Sequence, residues 1–224
     1  MRVLLGELAP SLSLLPGDEG ALRTVRNTVM QMVEADPASI EARLRAGEVS
    51  CVDCGGELRP WGWARRRTLR DHGRPVRLRP RRSRCRGCLV THVLLPTLVF
   101  LRRADLAAVI GEALQAIHRE GKSRQQAAAR AGVPVATFRG WCRRFAERAL
   151  EIRAHFSTLA HRCDPEQAGI QAQGSAVLDA LEAIGVAAAA GVRQLGPQPL
   201  WSLVAGASGG RLLSNTSRPL PRLV

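Results

Sequence analysis

Two Cys-x-x-Cys pairs, Cys51/Cys54 and Cys85/Cys88, are separated by thirty residues in a chain of 224. No other feature constrains the fold as much. Each x-x spacer lets both sulfurs of a pair reach one ion, so two pairs can close a tetrahedral site of four thiolates, the donor set of structural zinc. The chain between the pairs must then leave that point and return to it, which asks for a hairpin. Four cysteines serving only as small buried hydrophobes is the competing reading, but the repeated paired spacing speaks against it. His72 and His92 are further donors, yet four cysteines already fill a tetrahedron. A closed four-thiolate site keeps no position for water, so the expectation is a structural Zn2+ and no metal catalysis. An iron site of the same donor set fits chemically, but an arginine-dense loop is an odd setting for electron transfer.

Charge is the second constraint. The net charge is +14, and its placement matters more than its size. Residues 59–88 carry +11 and residues 121–163 carry +7, while the remaining segments together carry −4. Cations confined to two blocks point to nucleic acid rather than to a generally solvated surface. Aromatic residues make up 4% and tyrosine is absent, so no large aromatic platform for single strands is expected. No stretch approaches the roughly 20 apolar residues of a membrane span. The start, Met1 to Pro16, carries Glu7 and lacks a basic head and a small-residue cleavage pattern, so export is not expected. The cysteines should then stay reduced, which favours metal over disulfide, and the expected location is cytoplasmic, associated with the nucleoid.

In chain order, Leu22, Val25, Val29 and Val33 share helical spacing and predict a helix from Gly20 to Ala35. Pro37 breaks the chain before a short helix, Ile40 to Ala46, with Gly47 as its C-cap. Gly55 and Gly56 follow the first cysteine pair, where the backbone must turn toward the sulfurs. A Trp/Arg-rich segment, Arg59 to Arg70, leads to the turn candidate Asp71-His72-Gly73-Arg74. In the return segment Val76, Leu78 and Pro80 alternate with Arg77, Arg79 and Arg81, a strand with one basic face. Leu89 to Leu101 reads as an apolar linker.

A helix is expected from about Ala104, then a second from Arg124 to Ala131 with Ser123 as its cap. Gly132 forms the turn and Pro134 opens a third helix. Ala128, Gly132 and Phe138 have the spacing of a helix-turn-helix. In that motif a small residue sits at the helix contact, glycine in the turn, and an apolar anchor in the second helix. Arg139, Arg143 and Arg144 line its open side, with Ala136, Thr137 and Gly140 near the tip that would enter a major groove. Arg65, Arg66, Arg67, Arg77, Arg79, Arg81 and Arg82 would supply contacts from the hairpin. Phe138, Cys142, Phe145, Ala149, Ile152, Phe156, Leu159 and Cys163 repeat in steps of four and three. The stripe predicts a long third helix that serves either as a homodimer seam or as packing for helices of its own chain. Ser175 caps an alanine-rich helix with Val177, Leu181, Ile184 and Ala188 inward. A short segment follows at Trp201 to Ala205, and the tail from Ser214 is expected to be disordered.

The run Cys51-x-x-Cys54-Gly55-Gly56, then Arg70-Asp71-His72-Gly73, then Arg81-Arg82-Ser83-Arg84-Cys85-Arg86-Gly87-Cys88, resembles the zinc-finger head of bacterial insertion-sequence transposases. Over about residues 49–163 the chain also looks like short arginine-rich actinobacterial proteins that keep only this head. The resemblance implies zinc on Cys51, Cys54, Cys85 and Cys88 and a helix-turn-helix that grips DNA ahead of a ribonuclease-H-like catalytic domain. No such domain is visible: Asp164, Glu166, Asp179 and Glu182 are the only acids after Cys163, so no enzymatic activity is expected.

The resulting expectation is a mainly α fold with a small β zinc ribbon. It comprises a helical lead-in (1–48), the ribbon (49–100), the helix-turn-helix with a long third helix (102–163) and a helical C-terminal segment (164–224). The expected partner is double-stranded DNA. The expected role is a transposon-derived accessory factor or transcriptional regulator. The rivals are a transposase or nuclease fragment completed by a partner chain, and an RNA-binding zinc ribbon.

Overall fold

The computed structural model describes residues 28–166, 169–214 and 219–221. Among them are six strands and seven helices, so the fold is mixed α/β rather than mainly α. The strands are β1 (Thr28–Val33), β2 (Leu58–Trp63), β3 (Arg67–Asp71), β4 (Arg74–Leu78), β5 (Arg81–Cys85) and β6 (Thr91–Pro96). The helices are α1 (Pro37–Ala46), α2 (Ala107–His118), α3 (Arg124–Ala131), α4 (Val135–Glu147), α5 (Ala149–Cys163), α6 (Ala176–Leu195) and α7 (Leu200–Ala207).

Strands β1, β6, β5 and β2 form one sheet in that order, with β1 parallel to β6 and the other pairs antiparallel. Two sequence expectations are corrected here. The helix predicted over Gly20 to Ala35 is strand β1 from Thr28 onward, and its earlier part lies outside the described residues. The alternation of Thr28, Met30 and Met32 with Val29, Gln31 and Val33 fits a pleat as well as it fits a helix, and a parallel partner decides it. That partner is β6, inside the segment expected to be a linker. A short, nearly continuous apolar run (Val93, Leu94, Leu95) is what a strand buried on both faces looks like, and His92 to Pro96 are all buried.

Helix α1 begins where Pro37 fits the first turn and the Asp36 carboxylate accepts the Ala38 and Ser39 amides at 3.1 and 2.9 Å. It ends at Gly47 as expected, and buries Ile40 and Leu44. The chain between the cysteine pairs holds more than the single hairpin expected. Strands β2 and β5 pair at its base, and β3 and β4 form a separate two-stranded ribbon.

Helix α3 carries the expected cap as a full capping box between Ser123 and Gln126. The long third helix is broken in two at Arg148 (φ −114°, ψ 9°). Its guanidinium turns inward, bonding both Glu151 oxygens at 2.9 and 3.0 Å and the Arg211 carbonyl. The apolar stripe is buried within this chain: Phe138, Phe145, Ile152 and Phe156 are fully enclosed in a core shared with α2, α6 and α7. Ala149 joins them, so of the two readings of the stripe, packing for helices of its own chain is the one found here. Helix α6 starts at the expected Ser175 cap, and α7 packs on α2 through Trp201. A β-carbon on Gly111 would stand 1.8 Å from that indole, so only glycine admits the contact. Most of the tail expected to be disordered lies outside the described residues. Leu220, which is described, is buried, and its amide donates to Glu151 at 2.7 Å. Among the described residues no helix is long and apolar enough to cross a membrane.

Candidate metal centre

The two cysteine pairs sit at matching bends on β2 and β5. In each bend the amide of the first cysteine donates to the carbonyl five residues on: Cys51 to Gly56 at 2.7 Å and Cys85 to Val90 at 3.0 Å. In each, the residue after the second cysteine is left-handed, Gly55 at φ 71° and Leu89 at φ 61°. Glycine meets that demand freely, whereas Leu89 is held there against its preference. Val52 and Leu89 are left exposed on the bends.

The bends bring Cys51, Cys54, Cys85 and Cys88 together, with all four sulfurs within 4.8 Å of one another. Cys51 Sγ lies 3.7 Å from Cys88 Sγ, and Cys54 Sγ lies 3.5 Å from Cys85 Sγ. A sulfur tetrahedron around an ion at the zinc–thiolate distance of about 2.3 Å has an edge of about 3.8 Å, so the four residues fit one metal ion. Backbone amides also point at the sulfurs. The Cys88 amide, with help from Gly87, holds the Cys85 thiol down at about 7. Cys88 is pushed up to about 12: the Val90 amide favours its thiolate, but burial and the sulfurs of Cys54, Cys85 and Cys51 outweigh it. Burial also pushes the Cys51 thiol up. Four sulfurs this close cannot all ionise on their own near neutral pH. A cation among them removes the repulsion, so metal binding and deprotonation go together.

His92 is buried on β6 with Nε2 3.3 Å from Cys51 Sγ, and with Asp53 and Cys51 it forms a second close donor group. Burial lowers its pKa against the opposing charge of Asp53, which keeps the ring neutral. A neutral ring can donate Nε2–H to the Cys51 sulfur and steady it. His72 belongs elsewhere. It sits at the tip of the β3–β4 ribbon, where Nδ1–H donates to the Arg130 carbonyl at the end of α3 (2.9 Å).

That bond is one of three ties between ribbon and helices. Gly73 of the ribbon touches Gly132, the left-handed residue (φ 67°) between α3 and α4, and a β-carbon on Gly132 would stand 2.5 Å from the Gly73 nitrogen. Arg70 binds Asp105 through two bonds of 2.7 and 2.8 Å, and its backbone pairs with Ala104 and Leu106. The Asp105 carboxylate is nearly inaccessible to solvent, and its hydrogen bonds, helped by its charge, raise the Arg70 pKa against burial. Ribbon, turn and the first helical residues of α4 are thereby held in fixed register.

The arginines sort into two kinds. Arg65, Arg66, Arg67, Arg74, Arg77 and Arg139 are exposed, and among the described residues none has a carboxylate within ion-pair distance. Ala136 is exposed beside them, with Thr137 and Gly140 half-buried. The rest of the expected contact set is engaged elsewhere. Arg81 is mostly buried and binds Glu41 at 2.7 Å, holding α1 to the sheet. Arg144 donates back to the Gly140 carbonyl at 3.0 Å, and Arg143 lies 3.6 Å from Glu147 in an exposed i,i+4 pair. Arg82 is half-buried with its Nε enclosed, and Arg79 lies over Trp63. Trp61 and Trp63, about half exposed, are features that the low aromatic content concealed. Their i,i+2 spacing, between Arg59 and the run Arg65 to Arg67, is the sign that the sequence carries.

Residues 51–131 match a family described as Domain of unknown function (DUF6431). The match runs from Cys51 to the last residue of α3, taking in both bends, the ribbon and its ties to Asp105 and Arg130. No curated protein and no solved structure matches the chain.

Proposed function

We propose that this chain is a zinc-containing, sequence-selective binder of double-stranded DNA. We read it as a transposon-derived accessory factor or transcriptional regulator without a catalytic domain, acting in the cytoplasm on the nucleoid. In this reading β2, β5 and the two cysteine bends are a zinc ribbon whose closed site is structural. Helices α3 and α4 are a helix-turn-helix, with α4 as the helix that enters a major groove by its N-terminal end. Arg139 reads a base edge there, Thr137 meets a phosphate or a thymine methyl, and Ala136 and Gly140 leave room for close approach. Arg65, Arg66, Arg67, Arg74 and Arg77 grip phosphates beside it. Arg81, first expected among these contacts, is instead an internal anchor through Glu41.

One observation carries this reading. Exposed guanidiniums that have no carboxylate partner among the described residues sit on a ribbon whose tip is locked against the turn that opens α4. Elsewhere the chain neutralises arginines with its own acids, among them Arg43, Arg119 and Arg148. Cations left open in fixed register with a helix end match the charge of a duplex backbone.

The test is selection of bound duplexes from a random pool by the metal-loaded protein, followed by salt titration of the winner. An enriched motif is expected. So is a drop of about 10³–10⁵ in affinity between 50 and 200 mM salt if roughly 6–10 phosphates are contacted. No enrichment, or a nearly flat salt response, overturns the reading. Arg139→Ala should relax preference at one base position, and Arg66→Ala should weaken all duplexes alike.

A further inference from the structure

Trp141 and Trp201 are core residues, but Trp61 and Trp63 stand 54% and 48% exposed on β2, and nothing in the duplex reading uses them. Among the described residues β2 is an edge strand, and its outer side has no neighbour in the sheet. It pairs with β5 as Pro60 to Ser83 and then Trp63 to Arg81, leaving Trp61 and Gly62 to oppose Arg82 alone. Gly62, at φ 95°, accommodates this bulge. The two indoles therefore emerge on either side of the strand.

Each indole is backed by a guanidinium. Arg84 lies 4.9 Å from the Trp61 ring centre, and Arg81 and Arg79 lie 4.8 and 5.5 Å from that of Trp63. Two of the backing groups are themselves pinned. Arg84 Nε donates to the Leu89 carbonyl at 3.2 Å, and Arg81 is held by Glu41 at 2.7 Å and by the Gly62 carbonyl at 2.5 Å. Trp61, resting on the single fixed cation of Arg84, has one face occupied and one face open, and Trp63 stays 48% exposed although two guanidiniums approach its ring. The open face suits a planar π system, and little freedom remains to be lost when one stacks there.

We propose that the edge of β2 is a stacking site for unpaired nucleobases. The surrounding charge selects this ligand. Arg65, Arg66 and Arg67 follow Trp63 after one alanine, exposed and, among the described residues, without carboxylate partners. A single strand supplies what such a surface lacks, a phosphate for each base. Stacking on aromatic rings beside a cationic track is the general mode of holding single strands. The site goes beyond the duplex reading and does not depend on it. If both are right, the preferred ligand is a duplex with an unpaired extension.

The experiment compares three labelled probes by fluorescence anisotropy at one salt concentration. They are a blunt duplex, the same duplex with an unpaired oligothymidylate extension, and the same duplex with an abasic extension of equal length. The abasic arm keeps every phosphate and removes every base. For the unaltered protein, thymidine over abasic should gain roughly tenfold per stacked base, with quenching of tryptophan emission. In Trp61→Ala/Trp63→Ala the two extensions should bind alike, while Trp61→Phe/Trp63→Phe should keep part of the gain. Both indoles are surface residues, and retained metal content confirms that the variants fold. Equal binding of the two extensions by the unaltered protein overturns the proposal, as does a gain that survives loss of both rings. Free oligothymidylate separates the two ideas: if it binds through the tryptophans while blunt duplex does not bind at all, the stacking site stands and the duplex reading fails.

Discussion

The sheet half and the helical half of this molecule solve the same problem by different means. Around the cysteine bends the buried apolar cluster comprises seven residues, two of them metal-site cysteines (Ile40, Leu44, Val49, Cys51, Leu58, Cys85 and Leu94), and a neighbouring cluster on β3 and β6 has four. The core of the helical half contains twenty-nine of the described residues, including five large aromatic side chains from α4, α5 and α7. A core of the first size does not hold a structure of its own without a staple, while one of the second size does. The lesson concerns how charge is tolerated. A surface crowded with guanidiniums resists folding by self-repulsion, and a metal ion on the four cysteines, as proposed, would let the chain keep that surface without a larger core beneath it.

The largest expected effect follows from removing the ion. Structural zinc contributes about 10–16 kcal/mol in zinc-finger peptides near neutral pH, more than a small sheet can replace. Chelation, or Cys51→Ser/Cys85→Ser, should abolish hydrogen-exchange protection across β2, β5 and β6 while α2 to α7 stay protected. Loss of protection in both halves together would break the comparison, and retention of the sheet would show that the metal is dispensable. The converse substitution is next in size. Phe145→Ala should cost about 3–5 kcal/mol in denaturant unfolding and leave metal stoichiometry unchanged. A simultaneous loss of metal would mean the halves do not stand apart.

Much of this division can be read in the sequence, and where it cannot the reasons are physical. Local chemistry was decisive wherever one residue decides an outcome. Ser123 caps α3, Gly47 ends α1, Ser175 opens α6, and the cysteine spacing brings its sulfurs together. Readings failed where a distant partner decides. Thr28–Val33 becomes a strand because β6 lies beside it, and β6 escaped notice because a strand buried on both faces carries no alternation. The break at Arg148 depends on an acceptor sixty-three residues away, the Arg211 carbonyl. At the candidate contact surface the sequence gives the cations but not their partners. Only the fold separates Arg81, bound to Glu41, from Arg66, which has no carboxylate in reach among the described residues.

The junction sharpens the comparison at intermediate size. Gly132→Ala places a left-handed alanine, at about 1–2 kcal/mol, against the ribbon backbone at 2.5 Å. The nearest atoms are backbone and cannot swing aside, so the ribbon tip must move. We expect a modest fall in thermal midpoint, loss of amide protection at β3 and β4, and a loss of duplex affinity beyond what stability explains. An unchanged ribbon would show that the two halves are not held in register through this contact.

The smallest effect is confined to the helical half and concerns pH. Burial lowers the pKa of His155, against the opposing influence of the Ala207 carbonyl, which accepts its Nε2–H at 3.1 Å, and of the Glu151 charge. Burial lowers His118 in the same way. A histidine harder to protonate when folded than when unfolded contributes fully above its unfolded pKa, about 6.5. Its contribution is lost as pH falls from there toward the lower folded value, because the unfolded chain binds the proton more readily. Unfolding of the helical half should therefore become easier between neutral and mildly acidic pH. His155→Gln should flatten that slope in part, since it keeps a donor for Ala207 and cannot charge. The slope should persist in metal-depleted protein, where only the helices remain folded. A slope that vanished with the metal would place its origin at the cysteines and not in the helical core.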